Sequence, residues 1–239
     1  MKTPALVLST VNYGDRQLIV DLLTRQAGRQ SFIVRLSQSP HGRVHRRLFQ
    51  PLTLLDADFT LRPNRTLQRF SEVRMSRPWT SLTANPYKMP LVFFVAEFLR
   101  HATRDEQDVA TLFDYVVDSV EWLDMASEGY ANFHLVFMIR LSMFLGFFPN
   151  LESYEPGACF DLRSGCFTPQ APMHPDFMPP DDAAKMRLLM RMTYDNMHLF
   201  AMSRDDRNRC VDIILRFYRL HIPDFPEMRS LEVVKTLFK

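Results

Sequence analysis

The spacing of apolar and polar positions changes character near residue 80. From Ala5 to Arg77 the alternation is close to two, the period of a strand with one buried face. Ala5–Val11, Leu18–Thr24, Ser31–Leu36, Leu52–Leu61 and Thr66–Met75 carry it, all rich in Val, Ile, Leu, Thr and Phe. Turn residues separate them at Tyr13-Gly14-Asp15, Ala27-Gly28-Arg29, Ser39-Pro40-His41-Gly42 and Arg62-Pro63-Asn64. In the third stretch Phe32, Val34 and Leu36 share one face while Arg35 points to the other. Five short strands of this kind predict a small closed sheet of the OB-fold type, since closure removes the exposed edges.

Beyond Arg77 the period lengthens to that of helices. Pro78–Pro90 is a connector, and Pro90 suits the first turn of a helix that carries Leu91, Phe94, Val95, Phe98 and Leu99. Val109, Leu112, Phe113, Val116, Val117 and Val120 repeat the spacing, with Asp105, Asp108, Asp114, Asp118 and Glu121 opposite. A third helix, Tyr130–Leu145, is apolar nearly all round and is expected to be central, with Gly146 as its stop. Further helices are predicted over Asp182–Ala201 and Asp205–Leu220, and a short one over Ser230–Phe238. Between Phe147 and Pro180 lie seven prolines and two cysteines with no helical period, which reads as an irregular insert over about residues 147–181. The expected class is therefore α+β, a barrel over 1–80 followed by a helical domain over 81–239 that holds the insert.

Charge adds a functional direction. The net charge of the 239 residues is only +2, but residues 1–80 carry 13 Lys/Arg against 5 Asp/Glu, and residues 81–184 carry 5 against 15. Such segregation points to a polyanion-binding end joined to a part that repels polyanions. Ten arginines but only Asp56, Asp58 and Glu72 lie between Arg29 and Arg77. Guanidinium groups suit phosphate through their fixed donor fork and persistent charge. Arg29, Arg35, Arg43, Arg46, Arg47, Arg65, Arg69 and Arg74 are the expected contacts, directed at backbone and not at base sequence. Solubilising a small barrel is the other use for such arginines.

Catalysis finds little support. A composition of 46% hydrophobic residues with 12% aromatics excludes dominant disorder, and only 7 glycines leave little for phosphate-cradling turns. The chain contains no G-x-x-x-x-G-K-[ST], G-x-S-x-G or H-E-x-x-H, and its seven histidines form no ligand-like pair. No export signal is legible after Met1-Lys2-Thr3-Pro4, and the longest apolar run, His134–Phe148, is interrupted by Arg140. With three cysteines, an odd number, a reducing cytoplasm and free thiols are expected.

Ala5–Asp15 resembles the opening of the RecO recombination-mediator family, and four further pieces agree in order and spacing. Leu18–Thr24 with Gly28–Arg35 is similar to that family's second and third strands. Leu48-Phe49-Gln50-Pro51-Leu52 is similar to the entry to the fourth. Phe144-Leu145-Gly146-Phe147 and Arg229-Ser230-Leu231-Glu232-Val233 fit the helical body and tail of the branch found in Bacteroides-like bacteria. The resemblance implies a bacterial cytoplasmic, nucleoid-associated DNA repair protein without enzymatic activity. Such a protein binds single- and double-stranded DNA and anneals complementary strands. With RecR it helps load RecA onto DNA covered by single-stranded-DNA-binding protein. A protein-interaction adaptor whose basic barrel meets acidic partners instead of DNA is the competing reading.

Two finer expectations follow from the resemblance. Many members carry a four-cysteine zinc module inside the helical part, where this chain has only the degenerate insert. Cys159, Cys166 and His174 offer three ligands at most, so no metal or other cofactor is expected. The family also docks the acidic, apolar tail of single-stranded-DNA-binding protein. Phe137, Arg140, Leu141 and Phe144 on the third helix, flanked by Arg209 and Arg216, are the expected groove. Otherwise Arg140 bonds an internal acid such as Asp114 or Asp118.

Overall fold

The computed structural model describes residues 1–36, 46–103 and 109–238. Compactness divides the chain into two units: Met1–Met125 with Met228–Val234, and Ala126–Glu227 with Lys235–Lys239. By compactness alone, the first two helices group with the sheet.

In the first unit, β1 (Lys2–Tyr13), β2 (Gln17–Thr24), β3 (Gly28–Arg35), β4 (Leu54–Phe59) and β5 (Phe70–Arg77) form one antiparallel sheet in the order β3-β2-β1-β4-β5. β1 pairs along both edges, Lys2–Leu6 with β4 and Ala5–Tyr13 with β2, and its register against β2 shifts between Val7 and Ser9. The edges then meet. Gln68, just before β5, forms a parallel bridge with Phe32, its N–H donating to Ser31 O at 2.8 Å and its carbonyl accepting from Ile33 N at 3.0 Å. The closed order is that of the expected OB-fold barrel. The fifth strand begins at Phe70 and not at Thr66 because the intervening backbone is spent on this closure.

The barrel is filled by Ala5, Val7, Leu18, Val20, Leu22, Phe32, Leu55, Phe59 and Val73 among others. Phe32 meets Phe59 edge-on at 4.9 Å and stacks on Phe70 at 4.1 Å. A 3-10 turn over Arg46–Phe49 inserts Leu48 and Phe49 into the same core.

Helices α1 (Lys88–Ala102) and α2 (Val109–Met125) are fastened by buried or half-buried polar groups. Arg25 grips Asp114 with two bonds of 2.7 Å, and Arg100 reaches Asp21 at 3.1 Å. Asp124, near the end of α2, accepts from the backbone N–H of Thr80, Ser81 and Leu82. Burial opposes its charge, yet those donors hold its carboxyl below the ordinary range. The buried Lys88 ammonium donates to Ser81 Oγ at 2.6 Å and Asp124 O at 3.1 Å. Burial lowers its pKa.

In the second unit, α3 (Phe133–Phe144) is buried from Phe133 through Ile139, as an all-round apolar helix requires. The insert is not irregular. Its three short strands β6 (Cys159–Asp161), β7 (Cys166–Thr168) and β8 (Phe177–Met178) form a sheet ordered β7-β6-β8, and Asp161–Gly165 is the hairpin turn. Prolines placed between such short strands break no ladder, so a proline-rich composition hid them. α4 (Pro180–Arg191) ends ten residues before the expected Ala201. Asn196 stops it, its Nδ2 donating to Arg191 O at 3.1 Å and its Oδ1 accepting from Thr193 N at 2.7 Å. α5 (Arg204–His221) opens with Ser203 capping Asp206 N. The short terminal helix is α6 (Leu231–Lys235). Arg207 of α5 is 6% exposed and donates to Asn132 Oδ1, Met202 O and Phe238 O.

Gln68 supports a first prediction. Its buried side chain accepts from Arg62 N at 3.0 Å and donates to Arg62 O at 3.0 Å and Arg65 O at 2.8 Å. Gln68→Ala leaves the backbone closure but strands these groups, so thermal unfolding should show a loss of about 1–3 kcal/mol. An unchanged melt would show that water replaces all three bonds.

His134 supports a second. It is fully buried, and desolvation, with Arg207 nearby, pushes its pKa down to about 3. The folded state therefore holds the neutral ring while the unfolded chain binds a proton below about 6.5. That contribution is complete above pH 6.5 and is lost as pH falls, at about 1.4 kcal/mol per unit. Asp124, Asp161 and Glu97, with lowered pKa values, titrate beneath this window. Melts between pH 7 and 5 should decline for the parent chain and flatten for His134→Gln; parallel slopes would exclude His134 as the cause.

Candidate nucleic-acid interface

Register places the outward side chains of β1, β2 and β3 in rows, because directly paired residues leave a sheet on the same face. One row is Tyr13, Gln17 and Arg35, and the next is Val11, Ile19 and Ile33. A third is Ser9, Asp21 and Ser31, locked by Ser9 Oγ and Ser31 Oγ donating to Asp21 at 2.9 and 2.6 Å. In OB-folds the face of the second and third strands, with the loops between strands 1–2 and 4–5, is where oligonucleotides lie.

The loop between β4 and β5 brings arginines to that face. Arg35 and Arg69 line one hollow of about 350 Å³ together with Gln17, Ile33, Phe70 and Glu72. Arg62, Arg65 and again Arg69 line the adjoining one. Arg35, Arg62, Arg65 and Arg69 are exposed and form no ion pair with any described acid. Gln68 fixes the loop that carries three of them, since it holds Arg62 and Arg65 by their backbones. Neither Arg62 nor Gln68 is among the contacts expected from sequence. Gln68 could not have been, because a lone glutamine carries no periodic or compositional signal.

The remaining expected contacts divide. Arg46 and Arg47 are exposed, and Arg46 donates to Asn12 Oδ1 at 2.7 Å. Arg43 lies outside the described residues. Arg29 is half-buried and donates to Arg100 O at 2.6 Å, at the end of α1, so it is structural in place. Arg74 on β5 bonds Asp56 at 3.1 Å in a hollow shared with Asp58, Glu72 and Lys2.

The peptide groove expected on α3 is not assembled. Phe137 and Leu141 are 0% exposed in the core, and Phe144 is half-buried. Arg140 bonds neither Asp114 nor Asp118; it donates to Met190 O at 3.4 Å and Met192 O at 3.1 Å, where the end of α4 offers unsatisfied carbonyls. Arg209 pairs with Asp182 at 2.5 Å, and Arg216 with Pro175 O and Asp176. Helical spacing alone cannot separate a groove from a core when every face of the helix is covered. An apolar groove of about 620 Å³ lies instead in the first unit. Leu8, Pro51, Met89 and Phe93 line it, with Arg100 and Arg229 at its border. Phe93 is 48% exposed there. Glu97 is occupied by Arg229 N, Ser230 N and Ser230 Oγ, which leaves the Arg229 guanidinium outside that cluster.

Among the described residues no three His, Cys, Asp or Glu side chains converge as a metal site. Cys159 is buried on β6, and Cys166 Sγ lies 3.4 Å from Ser164 O. His174 lies 3.5 Å from Asp161. Burial pushes the Cys210 thiol up to about 11. No helix among the described residues is long and apolar enough to cross a membrane.

Family profiles match both parts of the chain, the one described as "Recombination protein O N terminal" over residues 1–79 and the one described as "Recombination protein O C terminal" over 85–231. A "DNA repair protein RecO" of Phocaeicola vulgatus is 45% identical over 237 residues, 99% of this chain and 98% of that one. Proteins of the same description from Bacteroides fragilis and Porphyromonas gingivalis are 44% and 32% identical, covering 99% and 98% of this chain and 98% and 97% of their own. The chain belongs to the RecO family of DNA repair proteins.

Proposed function

We propose that this protein binds single- and double-stranded DNA on the outer face of β2 and β3 and promotes annealing of complementary strands. In this role it acts with RecR to load RecA onto DNA covered by single-stranded-DNA-binding protein, in the bacterial cytoplasm. The observation that carries the binding step is the set of four arginines that pair with no described acid, Arg35, Arg62, Arg65 and Arg69, around two adjoining hollows. Annealing then needs no covalent chemistry. Cations lower the repulsion between two polyanions, and base pairing drives the product. Arg46 and Arg47 extend the cationic surface, whereas Arg29 and Arg74 contribute to the fold.

The test is a titration of single- and double-stranded probes at several salt concentrations. Log affinity should fall linearly with log salt. Replacing Arg35, Arg65 and Arg69 together by Ala should make the single-strand slope shallower by about 2, at about 0.7 per lost phosphate contact. Arg74→Ala should leave it unchanged. A triple variant with the parental slope would place the DNA elsewhere. Absence of salt-sensitive binding in the parent chain would favour the adaptor.

For the tail of single-stranded-DNA-binding protein, the groove bordered by Arg229 replaces the α3 surface. Its apolar floor and cation match a peptide that ends in apolar residues and a carboxylate. Arg229→Glu should weaken binding of the tail peptide at least tenfold, or about 1.4 kcal/mol, without moving the melt. The substitutable side chain is exposed, so retained affinity would exclude this groove.

A further inference from the structure

Tyr13 stands at the last position of β1, before a turn in which Gly14 takes φ 69°. Its side chain is 54% exposed and makes no hydrogen bond or ring contact to any described residue. Across the sheet it shares a row with Gln17 and Arg35, so its Cα lies about two strand spacings, ~10 Å, from that of an arginine that pairs with no described acid. The neighbouring row, Val11, Ile19 and Ile33, is apolar although it faces outward, and Val11 is 52% exposed. The aromatic ring is thus continued by an apolar strip that is exposed at Val11 and half-buried at Ile19 and Ile33, outside the barrel core and bordered by cations. It offers what an unstacked base needs: a flat apolar face beside a charge for the adjoining phosphate.

We infer that Tyr13 is a base-stacking residue that gives this face its preference for unpaired strands. The inference rests on the proposal that DNA lies along Arg35, Arg65 and Arg69. It adds a chemical distinction that the arginines cannot make. Phosphates are common to single strands and duplexes, whereas base faces are open only in the former. The row Ser9, Asp21 and Ser31 marks the limit of the strip, because polar side chains replace the apolar ones there.

The experiment uses the full chain and fluorescence anisotropy with two probes, a single-stranded oligothymidine and a duplex of equal length. Tyr13→Ala should weaken single-strand binding by about 5- to 150-fold, the range of one lost base–aromatic stack. It should leave duplex affinity, the salt slope and the melting temperature as they were. Tyr13→Phe should restore single-strand binding, because the ring and not the hydroxyl does the stacking. Equal losses on both probes, or parental single-strand affinity in Tyr13→Ala while the triple arginine variant has lost its slope, would overturn the inference and leave the cationic site standing. A triple variant with the parental slope removes the site itself, and the inference falls with it.

Discussion

The first unit depends on one backbone contact, the exchange of hydrogen bonds between Gln68 and the Ser31–Ile33 edge. Without it β3 and β5 would be open edges, each a row of unpaired donors and acceptors. With it, every strand has two neighbours and Phe32 has a closed space to fill. The same residue does a second task through its side chain, since the carboxamide that reaches Arg62 and Arg65 shapes the loop in front of the closure. Closing the barrel and aiming the cations are thus one constraint.

A second theme is how the arginines are shared out. Those near helices meet carboxylates or carbonyls: Arg25 with Asp114, Arg77 with Glu121, Arg100 with Asp21, Arg29 with Arg100 O. Arg35, Arg62, Arg65 and Arg69 meet no carboxylate among the described residues. An exposed ion pair contributes little to stability, but it does neutralise a charge that would otherwise be free to meet phosphate. Pairing therefore decides which arginines remain available as much as position does.

In the second unit the insert forms a small three-stranded sheet. Phe160 and Phe167 pack at 4.9 Å, and Tyr154 meets Phe167 edge-on at 5.0 Å. Arg163 and Arg216 converge on Asp176 and hold its carboxyl below the usual range. Aromatic packing and ion pairs here supply the cross-links that three short strands cannot supply for themselves.

The alternation of Phe32, Val34 and Leu36 was enough to assign the third strand and its inward face, because a period of two is local. The all-apolar run through Phe137 and Leu141 was likewise enough to make α3 central. The five alternating stretches with their turns predict the barrel, and the family resemblance carried the repair role. What sequence could not decide was partnership. Arg29, Arg69 and Arg74 are alike as residues, yet the first is tied to α1, the second pairs with no described acid and the third faces Asp56. Arg140 has helical neighbours suited to a groove, but its donors go to carbonyls at the end of α4, fifty residues away in sequence. Gln68 and Tyr13 acquire their significance only when register brings distant strands side by side. Periodicity reports which face of an element is buried. Only the tertiary structure determines which charged groups lie within a few ångströms of one another, and electrostatic and hydrogen-bond energies fall away too quickly with distance to be read along the chain.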